Sequence, residues 1–190
     1  MKKQEHKGWY SRGYLPHCDE PGRIQVITYR LADSVPKEVI DKLDQDLSQG
    51  NESERRKRIE EYLDSGYGKC YLADERIAEI VQENLLRFDG DRYRLLAWVI
   101  MPNHIHNIVE ILEGFTLEKV IHTWKSYTAN AVNKVLGRQG AFWQPDYFDR
   151  FIRDDKHLER AVYYVEFNPV KAGLVENAED WPFGSAWFRM

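Results

Sequence analysis

Two histidines one residue apart, His104 and His106, are the side chains in this sequence best suited to chemistry. On a β-strand, residues i and i+2 project to the same side, so the triplet His104-Ile105-His106 sets two imidazoles together and turns Ile105 to the other face. Neutral imidazoles placed this way are good ligands for a divalent cation. Such a cation needs at least one more oxygen or nitrogen donor and open positions for substrate. The same spacing also fits two histidines packed on a half-buried strand.

A second constellation lies about sixty residues on, in Tyr163-Tyr164-Val165-Glu166-Phe167-Asn168-Pro169. On a helix, residues i and i+4 share a face, so Tyr164 and Asn168 present a phenol beside a side-chain carbonyl. A phenol, with a reference pKa near 10, becomes a useful nucleophile when its target phosphate is polarised by a metal. The amide oxygen of Asn168 suits a hard cation as the missing ligand. The alternatives are a core tyrosine and an asparagine that simply ends a helix before proline. Tyr163 points about 100° away around the helix and does not share the Asn168 face equally.

These residues need elements to position them. Residues 23–31 alternate apolar and polar positions and predict a first strand. Ser34 and Pro36 mark a helix start, followed by Val39, Ile40, Leu43 and Leu47 at helical spacing. Residues 52–64 predict a charged helix, and 74–88 another with Ile77, Ile80, Val81 and Leu85 as its apolar stripe. The runs 92–101 and 104–111, joined through Pro102-Asn103, predict a hairpin. Thr116 opens a long helix to about Leu136. Residues 143–152 read as extended, and Asp154 or Asp155 caps a helix to about Asn168. Residues 8–22, rich in Gly, Pro and aromatics, read as an ordered loop. The order strand, helices, strand, strand, helix, strand, helix gives an α+β class. It is the ferredoxin-like split β-α-β pattern, with an antiparallel sheet and helices on one face.

The chain has 190 residues, 43% of them hydrophobic and 31% charged, which fits one domain with its own core. We read residues 1–190 as that domain. Its additions are an N-terminal segment to about 22, a helical insertion over about 50–90, and an aromatic tail over about 172–190 that docks onto it. No apolar run is long enough to span a membrane, no apolar stretch follows the N-terminal lysines, and two cysteines make no disulfide framework. A reducing cytoplasm is the expected compartment. The net charge of −4 is not that of a generic nucleic-acid binder. It is unevenly spread, however. Residues 1–30 carry six basic and three acidic groups, residues 119–171 nine and six, and residues 31–90 nine and fifteen. A phosphate-binding face would draw on the first two of these segments.

With VIMPNHIHNIVE (99–110), the run 144–187 containing YYVEFNPVKAGLV, and RGYLPH (12–17), the chain resembles the REP-associated tyrosine transposases of the single-tyrosine HUH superfamily. The resemblance covers most of the chain and is weakest over residues 36–90. A histidine-triad nucleotide hydrolase is excluded, because it needs a third histidine where this chain has Ile108.

The resemblance implies an HUH-type endonuclease fold with His104 and His106 as ligands of Mg²⁺ or Mn²⁺. Asn168 stands in the third-ligand position, often a Gln or similar residue in relatives, and Tyr164 in the nucleophile position. Tyr163 ranks second, and Tyr147 is the next phenol after it. The implied reaction is cleavage and rejoining of single-stranded DNA beside REP-type hairpins through a 5′-phosphotyrosine. A replication or relaxase-type nickase and a non-catalytic hairpin-binding protein are the alternatives. DNA contacts are expected from Trp9, Tyr10, Arg12 and Tyr14, which interleave aromatic and cationic groups, and from Lys125, Arg150 and Arg153. The expected setting is the bacterial cytoplasm near the nucleoid, as a monomer or a homodimer.

Overall fold

Alternation in residues 24–30 is the root of the fold, because it sends Ile27 and Tyr29 to one side of a strand and Val26 and Thr28 to the other. In the computed structural model, which describes residues 8–11, 16–20, 22–47 and 52–189, that strand is β3 (Ile24–Arg30). It sits inside a four-stranded sheet with β4 (Tyr93–Ile100), β5 (His104–Ile111) and β6 (Phe148–Phe151). The strand order is β4-β5-β3-β6 and every pairing is antiparallel, which is the ferredoxin-like arrangement. A bulge between Leu95 and Ala97 shifts the register of β4 against β5.

The sheet is covered on both faces. Helices α3 (Glu75–Leu86) and α4 (Leu117–Val135) pack Ile77, Val81, Ile121 and Trp124 against Tyr29, Ile105 and Val109. On the opposite face, α5 (Asp155–Glu166) sets Leu158, Ala161, Val162 and Val165 against Val26, Ala97, Val99 and Ile108. The expectation of helices on one face is corrected in this respect. Strand β5 is buried along both of its sides, and a sheet apolar on both sides needs two layers over it. The face under α5 carries His104 and His106.

Within residues 8–22, expected as a loop, the described residues 8–11 and 16–19 are extended instead. Strands β1 (Gly8–Ser11) and β2 (Pro16–Asp19) pair antiparallel as a hairpin beside β6. Buried polar groups fasten it. Asp149 of β6 bonds to the His17 ring through one oxygen, and the other accepts from the Cys18 amide at 3.0 Å and from Gln25 at 3.2 Å. Asp19 accepts from the Leu117 amide at 3.0 Å and so caps α4, a task that Thr116 does not perform. Burial alone would lower the His17 pKa, but Asp146 and Asp149 outweigh it and raise the value to about 9.

Helices α1 (Lys37–Leu47) and α2 (Glu52–Asp64) lie in the crossover between β3 and α3, an insertion that begins before residue 50 and leaves out α3, which packs in the core. After α5, the short helix α6 (Asn168–Lys171) begins with Pro169 in its first turn. The chain from 172 then runs along the free side of β4. The Ile100 amide donates to Phe183 O and the Ser185 amide to Trp98 O, both at 2.8 Å. Among the described residues no helix is long and apolar enough to cross a membrane.

Candidate functional site

Strand β5 delivers both histidines to the α5 face, with their Nε2 atoms 3.0 Å apart. Each Nδ1 has its own partner. His104 Nδ1 lies 2.7 Å from Asn103 Oδ1, and Asn103 Nδ2 donates to Tyr67 O at 3.0 Å. That bond assigns the Asn103 oxygen as acceptor, so His104 carries its proton on Nδ1 and leaves Nε2 a bare lone pair. His106 Nδ1 meets the Thr28 hydroxyl at 2.8 Å, because Thr28 stands directly opposite His106 in the β3–β5 register. A hydroxyl both donates and accepts, so this partner tolerates either tautomer of His106. The turn that supplies Tyr67 O is closed by Gly68, whose φ is +94°. A Cβ there would come within 2.7 Å of the Asp33 carbonyl oxygen.

Both rings are held neutral. Burial lowers His106 to about 3, with Arg56 and Lys171 adding to the effect, and burial with His106 and Lys171 takes His104 well below its ordinary value. The Tyr164 ring stands edge-on to His106, with centroids 5.5 Å apart. Its hydroxyl is buried and, among the described residues, meets no hydrogen-bond partner at normal distance and angle, although Asn168 lies near enough to act on it, and the same absence holds for both amide atoms of Asn168. Burial, then the charges of Glu60 and Asp64, push the Tyr164 pKa up to about 12, against the pull of Arg56 and the neighbouring Asn168 amide. Asn168 does not continue α5. The helix yields at Phe167, and Asn168 starts α6 while staying beside Tyr164.

Two bare or exchangeable imidazole nitrogens lie here, each imidazole backed by an outer hydrogen bond, and beside Tyr164 stands an amide with no hydrogen-bond partner among the described residues. That donor set fits a hard divalent cation. Among the described residues no group of three His, Cys, Asp or Glu that could hold a metal comes together.

The remaining expected residues scatter. Tyr163 is 61% exposed and stacks on Phe167 at 4.2 Å, facing away from the histidines. Tyr147 is buried, with its hydroxyl 3.0 Å from that of Tyr10. Trp9 keeps an exposed ring edge-on to Phe151. Lys125, on the α4 side of the sheet, donates to the carbonyls of Gln144, Pro145 and Asp146. Arg150 shares the histidine face, and Arg56 and Arg153 are close enough for their charges, after burial, to lower its pKa. Arg12 and Tyr14 lie outside the described residues. Sequence reasoning missed Thr28, Asn103, Arg56, Glu60, Asp64 and Lys171. Thr28 is accessible only through strand register, and the α2 residues only through tertiary placement.

Residues 70–168, just over half of the chain and including the histidine pair and Tyr164, match the family described as transposase IS200 like. The chain belongs to that family. Among curated proteins it is similar to the REP-associated tyrosine transposase of Escherichia coli (strain K12), 29% identical over 108 residues. That match covers 56% of this chain and 63% of the relative. A putative REP-associated tyrosine transposase of Haemophilus influenzae is 29% identical over 104 residues, covering 49% of this chain and 58% of its own length. The IS200-like chain thus spans about three fifths of the curated relatives it matches. Its fold is that of a solved REP-associated tyrosine transposase bound to a REP hairpin. The TM-score is 0.58 at 20% identity, over 93% of this chain and 81% of the other.

Proposed function

We propose that this chain cuts and rejoins single-stranded DNA beside hairpins of REP type, with Tyr164 as nucleophile and His104, His106 and Asn168 holding Mg²⁺ or Mn²⁺. The observation that carries the reading is the buried Tyr164 hydroxyl, without a hydrogen-bond partner among the described residues, on a ring set against His106. A buried polar atom without a partner costs roughly 1–3 kcal/mol, and a scissile phosphate at this place would relieve it. The bound cation supplies polarisation of the phosphate oxygens and lowers the cost of ionising the phenol.

The protein's own residues do the rest. Asn103 and Thr28 orient the two imidazoles, and burial keeps both neutral at physiological pH. Tyr164 Oη gives up its proton and forms a bond to phosphorus. The bond from phosphorus to the 3′ oxygen breaks, and that oxygen takes up a proton. The 5′ end is left on tyrosine and the 3′ end as a free hydroxyl. No water is consumed, so attack by a 3′ hydroxyl reverses the step and rejoins strands. The hairpin partner is suggested by the relatives' names and by the hairpin in the related structure.

The test is a covalent adduct. Labelled hairpin oligonucleotide with Mn²⁺ should leave a band that survives a denaturing gel. Tyr164→Phe should reduce it on the order of 10³-fold or more. Tyr163→Phe should leave it intact, because that hydroxyl faces solvent. Adduct formation by Tyr164→Phe at the wild-type rate would remove the mechanism. Mn²⁺ titration gives a separate reading of the metal, with binding expected to fall in His106→Ala. Equal binding by both proteins would exclude the pair as its ligands.

A further inference from the structure

The α1–α2 insertion does not lie flush on the sheet. Between them is a cavity of about 870 Å³ whose walls include Thr28, Arg56, Ile59, Glu60, Tyr67 and Phe148. Thr28 is the residue that meets His106, so the cavity begins where the candidate site ends. The register fixes the relation further. Phe148 of β6 lies opposite Thr28 of β3, which lies opposite His106 of β5. Residues directly opposite in a sheet share a face, and strands are about 4.8 Å apart, so Phe148 stands about 10 Å from His106 on the same surface.

The Arg56 guanidinium lies over the Phe148 ring, 4.1 Å from its centroid. The pair is a flat cation–aromatic platform, a surface on which an unpaired base stacks without regard to sequence. Arg150, on the same face as Phe148, adds positive charge beside the platform. The walls also carry five carboxylates, among them Glu60 and Asp146, against the four cations Arg30, Lys37, Arg55 and Arg56. Carboxylates repel a phosphate but accept hydrogen bonds from the amino groups of a base. The chemistry inside the cavity therefore suits a base, and that beside the platform suits its phosphate.

We propose that this cavity takes one unpaired nucleobase of the DNA strand, next to the scissile phosphate, stacked on the Arg56–Phe148 pair, with Arg150 at the adjoining phosphate. The inference rests on the strand-transfer reading and deepens it. It assigns a base-binding role to the α1–α2 insertion, which lies outside the residues matched by the family.

The test uses the full chain, Mn²⁺ and a hairpin oligonucleotide that forms the Tyr164 adduct, with 2-aminopurine or an abasic unit placed singly at each position flanking the cut. In the wild type, one position should show quenched 2-aminopurine fluorescence, and the abasic unit there should slow adduct formation about tenfold. Ile59→Trp fills the cavity and Phe148→Leu removes the ring. In both, checked for folding by circular dichroism, the quench and the tenfold discrimination should disappear. If the wild type forms the adduct but no position shows either signal, or if both variants retain them, the base pocket is overturned and the strand-transfer reading stands. If no hairpin yields an adduct with the wild type, both fall together.

Discussion

The N-terminal hairpin and the α1–α2 insertion both border the central sheet, yet they are held by opposite means. The hairpin is fastened from inside. His17, Asp149, Gln25 and Asp19 are all buried, and their bonds tie β1–β2 to β6 and to the start of α4. Helix α2 is held mainly from outside. Among its residues with described burial only Leu63 is fully buried, and its polar contacts are surface pairs such as Arg56–Glu60, Arg58–Glu54 and Asp64 with Lys171. Exposed pairs contribute little, typically under 1 kcal/mol each, while a buried charged network is costly to break. The difference separates appearance from use. An N-terminal segment that interleaves aromatics and cations commits Tyr10 and His17 to holding the fold together, and a plain charged helix brings Arg56, Glu60 and Asp64 within electrostatic reach of Tyr164.

The largest effect that would sharpen this contrast is Asp149→Ala. It removes one of the two carboxylates that face the His17 charge and leaves the Cys18 amide without its acceptor, and should cost about 3–5 kcal/mol in urea unfolding. A cost under 1 kcal/mol would mean that the hairpin is as loosely attached as α2. Next comes pH. The folded His17 pKa of about 9 lies above its ordinary 6.5. Its charged clamp therefore stabilises fully below about 6.5 and is lost as pH rises through about 9. The amount at stake is on the order of 3 kcal/mol. Thermal midpoints should fall between about pH 7 and 10 in the wild type, and Asp149→Ala should flatten that slope.

The sheet is legible in the sequence because β3 alternates, β4 is an apolar run of strand length, and the β4–β5 hairpin has a clear turn at Pro102-Asn103. The i, i+2 rule sets both histidines on one face, and the i, i+4 rule puts Tyr164 and not Tyr163 on the inner side of α5. What stays hidden depends on residues far apart in sequence. Cross-strand register chooses Thr28 as partner of His106, and tertiary packing chooses Asp19 to cap α4 in place of Thr116. The hairpin of residues 8–19 reads as a loop because its strands are only four residues long, and their ordering comes from Asp149, about 130 residues away. The two-sided burial of β5 is present in its composition, yet its alternation with the histidines reads as a single apolar face.

The smallest effect tests the loose side of the contrast. In hydrogen exchange, α2 amides should open faster than those of β1 and β2, because opening free energy follows buried apolar contact and α2 has little of it. Asp64→Asn should sharpen this. Asp64 accepts from Lys171 Nζ at 2.6 Å, but the lysine is 56% exposed, so its removal should shift global stability by less than about 1 kcal/mol. The same loss falls wholly on the local opening of α2, since Lys171 belongs to α6 and is its link to the far side of the site. Exchange in α2 should therefore accelerate a few-fold while β1, β2 and α4 keep their rates. Uniform acceleration across the chain would show that α2 opens only with the whole domain. Unchanged rates in α2 would show that Leu63 and its neighbours, and not the Asp64–Lys171 pair, hold the helix over the site.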